Sequence, residues 1–78
     1  MNNTDTLKNK FRFFYINFGL FSQESADTAE EAKILAKKGG FECNVLYNGE
    51  LVASWGPIGG FQYYNRELFG LQPALSVG

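Results

Sequence analysis

The fold of this chain is decided by the stretch Phe41-Glu-Cys-Asn-Val-Leu-Tyr-Asn-Gly-Glu-Leu-Val-Ala-Ser-Trp55, which continues into Gly56-Pro-Ile-Gly-Gly60. Two runs rich in strand-forming residues flank Asn48-Gly49, and this pattern predicts a β-hairpin. The dipeptide allows a two-residue type I′ loop or a three-residue loop with Gly49 in the left-handed region. We predict the three-residue loop, because the two-residue loop mixes polar and apolar side chains on one face. The three-residue loop places Phe41, Cys43, Val45, Leu51, Ala53 and Trp55 on one face and Glu42, Asn44, Leu46, Glu50, Val52 and Ser54 on the other.

The segment after the hairpin predicts a turn followed by short elements. Gly56–Gly60 lacks the Lys-Ser/Thr of a P-loop and does not match G-x-G-x-x-G, so we favour a turn over a phosphate-binding loop. Phe61–Asn65 predicts another short strand, and Arg66–Phe69 a helical turn. Residues 72–78 predict a tail that either docks through its leucine and valine side chains or frays.

Before the hairpin, an aromatic segment predicts one long strand. Phe11–Phe21 is dense in phenylalanine and contains no helix-favouring run. Alternation along the strand places Phe11, Phe13 and Tyr15 on one face and Phe14, Ile16, Phe18 and Leu20 on the other. A single helix could not cover both sets.

A helix is predicted over Thr28–Lys38. Thr28-Ala-Glu-Glu31 matches a capping box, and two lysines in the last turn suit the negative end of the helix dipole. Gly39 is predicted to take the left-handed conformation that ends the helix. Small side chains recur on one face, which lets a helix lie close to a sheet. They are Ala29, Ala32 and Ala36, joined by Leu35, and Ile34 is predicted to broaden this apolar face.

These elements predict a single small α+β domain. Its order is β-α-β-β, with one helix packed on a three- or four-stranded antiparallel sheet. Residues 1–9 are predicted to form a flexible polar arm, and residues 10–78 the domain.

Composition argues against catalysis and for self-association. A core of 78 residues provides little net stability, and small domains are often stabilised by disulfides, metals or oligomerisation. Because the chain has one cysteine and no histidine, we predict neither a disulfide nor a metal site, no cofactor and no enzymatic activity. The net charge of -1 provides no general attraction to nucleic acid, and no apolar run is long enough to cross a bilayer. We predict a cytoplasmic protein without a membrane partner.

The single cysteine and the carboxylates near the helix start are predicted to have structural roles and not catalytic or metal-binding ones. Cys43 lies on the apolar face of the hairpin and is predicted to be buried rather than nucleophilic. The carboxylates around the helix start are predicted to complement the helix dipole rather than bind a metal. They are Glu24, Asp27, Glu30 and Glu31.

Aromatic and basic residues provide the candidate binding sites. We predict a homo-oligomer with an interface anchored by Phe14, Phe18, Trp55 and Phe61. The alternative is a small single-stranded nucleic-acid (RNA) binding module, in the form of a ring, in which bases stack on aromatic rings and cations hold phosphates. Its candidate contacts are Lys8, Lys10, Arg12, Tyr63 and Arg66.

The amino-acid sequence of the hairpin also resembles that of a group of known proteins. Gly-Phe-Glu-Cys followed by Asn-Gly-Glu-Leu-Val-Ala-Ser-Trp-Gly-Pro-Ile-Gly-Gly, with the aromatic strand and the Lys-Lys-Gly-Gly helix end, resembles small uncharacterised proteins of marine cyanophages and ocean metagenomes. The resemblance covers 11–64. It implies a phage-encoded accessory protein in the cytoplasm of a bacterial host, with a host protein as another partner class, and no catalytic residue.

Overall fold

The computed structural model describes residues 9–71, in which one helix packs on a five-stranded antiparallel sheet. The spatial order of the strands is β2-β1-β3-β4-β5, so the helix connects β2 to β3 across β1. The elements are β1 Phe11–Tyr15, β2 Leu20–Ala26, α1 Ala29–Lys38, β3 Cys43–Tyr47, β4 Glu50–Gly56, β5 Gly60–Tyr63 and a 3₁₀ turn at Glu67–Phe69.

The predicted α+β class, with one helix on an antiparallel sheet, is confirmed. The sheet has five strands instead of three or four, and the order begins with two strands, because the predicted long first strand is a hairpin. The chain reverses after Tyr15, whose carbonyl accepts hydrogen bonds from the amides of Phe18 at 3.3 Å and Gly19 at 2.8 Å. Gly19 has a φ of +68°, a conformation that glycine adopts readily. A strand interpretation based on aromatic density overlooked this turn.

Helix α1 begins as its capping box predicts. The Thr28 hydroxyl accepts a hydrogen bond from the amide of Glu31 at 3.1 Å, and the Glu31 carboxylate accepts one from the amide of Asp27 at 3.1 Å. The helix ends at Lys38, as predicted. The left-handed residue is Gly40, with a φ of +76°, and not Gly39, which keeps a right-handed backbone.

The β3–β4 hairpin has the two-residue loop, so the predicted three-residue loop is wrong. Asn48 and Gly49 have φ values of +52° and +83°, and Tyr47 pairs with Glu50. The Asn48 side chain also accepts a hydrogen bond from the amide of Asn9 at 2.7 Å, which ties the start of the described chain to this loop.

A β-bulge in β4 corrects the faces. Leu46 pairs with Leu51, but Val45 pairs with Ala53, so Val52 is an extra residue on one strand. Val52 is 1% exposed and Leu51 is 43% exposed, the reverse of the prediction. The bulge therefore turns two successive side chains, Val52 and Ala53, into the core.

The core lies between the helix and one face of the sheet, which we call the helix face. Phe13, Val45 and Cys43 on this face are at most 1% exposed, and two fully buried alanines of α1 pack against the same core. Phe69, from the 3₁₀ turn, extends this core with a ring 5.6 Å from that of Phe11. The short strand predicted at Phe61–Asn65 is observed as β5, and the predicted helical turn as the 3₁₀ turn. The predicted tail, residues 72–78, lies outside the described residues.

The bulge generates a paired stability prediction. Val52→Asp should lower the free energy of unfolding by about 3 to 5 kcal/mol, because it places an uncompensated carboxylate in the core. Leu51→Asp should cost less than about 1 kcal/mol, because the side chain reaches solvent. Urea unfolding at two protein concentrations measures both and separates any contribution from association. If Leu51→Asp lowered the free energy of unfolding more than Val52→Asp, the result would contradict the bulge and favour the three-residue loop, in which Leu51 faces the core.

Candidate functional site

The side of the sheet opposite the helix, which we call the outer face, is the first candidate surface. Its residues alternate with the buried ones of the helix face and are joined across strands by two rows of paired positions. One row is Phe21, Phe14, Asn44, Ser54 and Gln62, and the other is Ser25, Arg12, Leu46 and Leu51.

The apolar part of the outer face is built around two aromatic rings. The rings of Phe14 and Phe21 meet edge to face with centroids 5.0 Å apart. The guanidinium carbon of Arg12 lies 4.8 Å from the centroid of the Phe21 ring, a cation–π distance. Leu46 and Leu51 form an apolar pair next to Arg12. Aromatic rings and arginine are the residue types that the cores of protein interfaces favour.

A polar strip occupies the β4–β5 side of the outer face. The Tyr64 hydroxyl donates a hydrogen bond to the Gln62 side chain at 3.2 Å and lies 3.3 Å from the Ser54 hydroxyl. Asn44 lies beside Ser54 on the neighbouring strand. The strip therefore presents amide and hydroxyl groups next to the aromatic part.

The described chain leaves the outer face open. Both α1 and Phe69 of the 3₁₀ turn pack on the core of the helix face, and no other described element lies across the sheet. Phe21 is 44% exposed and Leu51 is 43% exposed. Exposed apolar side chains grouped on one open face are typical of a contact surface.

A second apolar surface lies at one end of the sheet, where the β1–β2 turn, the α1–β3 loop and the β4–β5 turn meet. We call it the turn end. The Phe18 and Phe41 rings are 5.1 Å apart, and Ile58, at the tip of its turn, is completely exposed. The exposed apolar side chains of the turn end are Ile16, Phe18, Leu20, Phe41 and Ile58.

The four predicted interface anchors do not share one surface. Phe14 lies on the outer face and Phe18 at the turn end. Trp55 and Phe61 pair across β4 and β5 on the helix face, where they are partly buried against the core. Phe21, with Leu46 and Leu51, was not among the predicted anchors. A turn at residues 16–19, signalled by Gly19, places β2 beside β1. Recognising this turn in the sequence would have indicated that Phe21 lies next to Phe14.

The predicted nucleic-acid contacts are also divided. Arg12 lies on the outer face, whereas Tyr63 stacks on Phe61 at 5.5 Å on the helix face. Lys10 forms an ion pair with Asp27. Arg66 immediately precedes the 3₁₀ turn, and Lys8 lies outside the described residues.

The carboxylates near α1 have partners within the chain. Glu24 pairs with Lys38 at 3.0 Å, and Glu30 is 3.7 Å from Lys33. Within residues 9–71, no group of three or more His, Cys, Asp or Glu side chains has a metal-binding arrangement. These contacts are consistent with the prediction that the carboxylates complement the helix dipole.

Cys43 and the glycine segment have structural roles. Cys43 is fully buried, with its sulfur 3.6 Å from the carbonyl oxygen of Ala36. Burial raises the pKa of the Cys43 thiol from its ordinary value of 9.0 to about 11. Residues 57–59 form the turn between β4 and β5, as predicted.

The raised pKa of Cys43 predicts a stability change at alkaline pH. The thiol of the unfolded chain ionises near pH 9, whereas the buried thiol stays protonated until about pH 11. Its contribution to stability is therefore complete below pH 9 and is lost as the pH rises towards 11. Urea midpoints of the wild type and Cys43→Ala should converge over this range. A constant difference between them would contradict the prediction.

The comparisons with known proteins leave the chain without an assigned family. Protein-family models, curated proteins and solved structures all give no match to it. No helix within residues 9–71 has the length and hydropathy that a bilayer crossing requires. The functional argument therefore rests on the two surfaces.

Proposed function

We propose that this chain is a non-enzymatic accessory protein of the cytoplasm, of the phage-encoded type that its resemblance implies, and acts as a homo-oligomeric protein-interaction module. The outer face is its contact surface. The supporting observation is the open apolar group of Phe14, Phe21, Leu46 and Leu51, which the described chain does not cover.

The charge of the outer face favours a second copy as its occupant. Among the residues of the two rows, Arg12 is the one with a formal charge, and its guanidinium already lies over the Phe21 ring. Two such faces can therefore meet without opposing large charges of one sign. A contact around a two-fold axis would also place the same apolar residues of both copies in one interface.

Removing exposed apolar side chains of the outer face should reduce self-association. We expect the wild type to contain more than one chain per particle at micromolar concentration, and the double variant Phe21→Ser/Leu51→Ser to form smaller particles. The lost apolar contact is the physical reason. Sedimentation velocity over a range of concentrations measures the masses.

Ile34→Ser is the matched control for this test. Ile34 is 63% exposed on α1, away from the outer face, so its replacement should leave the particle mass unchanged. A wild type that sediments as an 8.7 kDa monomer would refute the proposal. An outer-face variant with the mass of the wild type would refute it equally.

Single-stranded RNA binding is the second candidate function of the same face. Specific support comes from the Arg12–Phe21 stack beside the amide and hydroxyl strip, because bases stack on aromatic rings and their edges bond to such groups. The cations near this face are few, which favours the self-association proposal.

A binding titration separates this candidate from the first. If the outer face binds RNA, a fluorescent pyrimidine single strand should bind at low salt, with affinity falling steeply as salt rises. Arg12→Ala should then weaken binding, while Lys37→Ala on α1, which removes the same charge elsewhere, should have a smaller effect. Absence of binding at low salt would eliminate this function and leave the first unaffected.

A further inference from the structure

The outer face carries a carboxylate as well as the Arg12 guanidinium. Glu42 lies just before β3, and its carbonyl accepts a hydrogen bond from the amide of Ile16 at 3.3 Å, so the pairing of β1 with β3 continues through it. Alternation along the strand then places the Glu42 side chain on the same face as Asn44. Among residues 9–71, neither Arg12 nor Glu42 forms an ion pair. The outer face therefore presents both signs of charge.

The Glu42 carboxylate is open to a cation from another molecule. A Cβ atom at Gly56 would lie 3.6 Å from a Glu42 carboxylate oxygen, so the glycine leaves this oxygen uncovered on one side. A groove of about 390 Å³ adjoins Glu42 and is lined also by Asn17 and Pro57. The groove has room for a long side chain.

The strand register places the two charged residues symmetrically. Phe14 and Asn44 lie opposite one another on β1 and β3, which run in opposite directions. Arg12 comes two residues before Phe14, and Glu42 comes two residues before Asn44. At a rise of about 3.3 Å per residue, Arg12 and Glu42 lie about 7 Å to either side of the Phe14–Asn44 pair.

We infer that two copies of this chain meet outer face to outer face about a two-fold axis that crosses the strands at Phe14 and Asn44, and that Arg12 of each copy binds Glu42 of the other. This arrangement rests on the proposed function, because it specifies how the same face contacts a second copy. Rotation about the axis exchanges its two sides, so each guanidinium meets a carboxylate. The two ion pairs are therefore equivalent.

The residues along this axis are suited to contact with themselves. In a two-fold contact, residues near the axis face the same residues of the other copy. Here the aromatic rings meet aromatic rings, and the amide and hydroxyl groups meet groups that both donate and accept hydrogen bonds. The row in question is Phe21, Phe14, Asn44, Ser54 and Gln62.

These features favour a second copy over other occupants of the outer face. A nucleic acid would bring phosphates near the Glu42 carboxylate, which repels them. A copy of the same chain needs opposite charges equally spaced about a self-complementary row, and the outer face has this pattern. Exposed ion pairs add little affinity, so the apolar residues provide most of the association and the charges select its orientation.

A charge-reversal series tests the pairing. Arg12→Glu and Glu42→Arg should each weaken the dimer by more than about tenfold, because each places like charges opposite one another twice. The double variant Arg12→Glu/Glu42→Arg exchanges the charges and should restore the dimer. Sedimentation velocity over a range of concentrations measures the dissociation constants. Lys37→Glu, the same charge change on α1, is the control and should leave the constant unchanged.

Mixing the two single variants tests whether the pair joins different copies. Arg12→Glu chains carry two anions at these positions and Glu42→Arg chains carry two cations. At a concentration where each variant alone is monomeric, an equimolar mixture should therefore form heterodimers. Sedimentation of the mixture, with one variant fluorescently labelled, measures them.

Cross-linking locates the axis. Asn44 lies near the axis and faces its own copy across the distance of about 10 Å that separates packed sheets. A bismaleimide of about that length should therefore join Asn44→Cys chains into covalent dimers. Ser25→Cys, on the same face but far from the axis, is the control and should give no dimers. The wild type should give none either, because Cys43 is buried.

The outcomes separate this arrangement from the proposed function. Suppose the wild type assembles and Phe21→Ser/Leu51→Ser reduces its mass. Charge reversals without effect, or a mixture that stays monomeric, would then overturn the Arg12–Glu42 pairing and leave the outer face as the contact surface. Cross-linking of Ser25→Cys but not Asn44→Cys would overturn the axis in the same way. A monomeric wild type would instead refute the proposed function itself.

Discussion

The close packing of one short helix on one face of the sheet is the contact on which the rest of the structure depends. Ala32 and Ala36 are fully buried, and the carbonyl of Ala36 lies 3.6 Å from the Cys43 sulfur, so the helix approaches β3 with only small side chains between them. A helix of ten residues can cover one face of five strands and not two. The core therefore forms on the helix face, and the outer face keeps its aromatic side chains open.

This division has a direct functional consequence. The helix face uses Phe11, Phe13 and Val45 for stability, so its aromatic residues are not available to a partner. The outer face and the turn end carry exposed apolar side chains that contribute little to the isolated domain. For a chain this small, burying such surface in an assembly adds stability that its own core provides only sparingly. Self-association and stability are therefore coupled in the proposed function.

The sequence predicted the helix and the end of the sheet because the signals there are local. A capping box, two lysines and two glycines define α1 within one or two residues, and Gly56–Gly60 breaks β4 from β5. In β4, Ala53, Ser54 and Trp55 lie on the predicted faces. The faces of Leu51 and Val52 were predicted incorrectly, because the bulge that exchanges them depends on pairing with β3 and on packing against the core. The alternation of apolar and polar residues within β4 does not indicate where β4 has one residue more than the paired strand β3.

The candidate site divides in the same way. The sequence by itself determined the helix α1, several strands, a buried Cys43 and more aromatic side chains than one helix can cover. Only the tertiary structure decided which aromatics share a surface. It separated Phe14 from Trp55 by placing them on opposite faces, and it joined Phe14 to Phe21 through the turn at Gly19. Alternation tells which residues of one strand share a face, but the pairing of strands across the sheet determines which strands combine to build it.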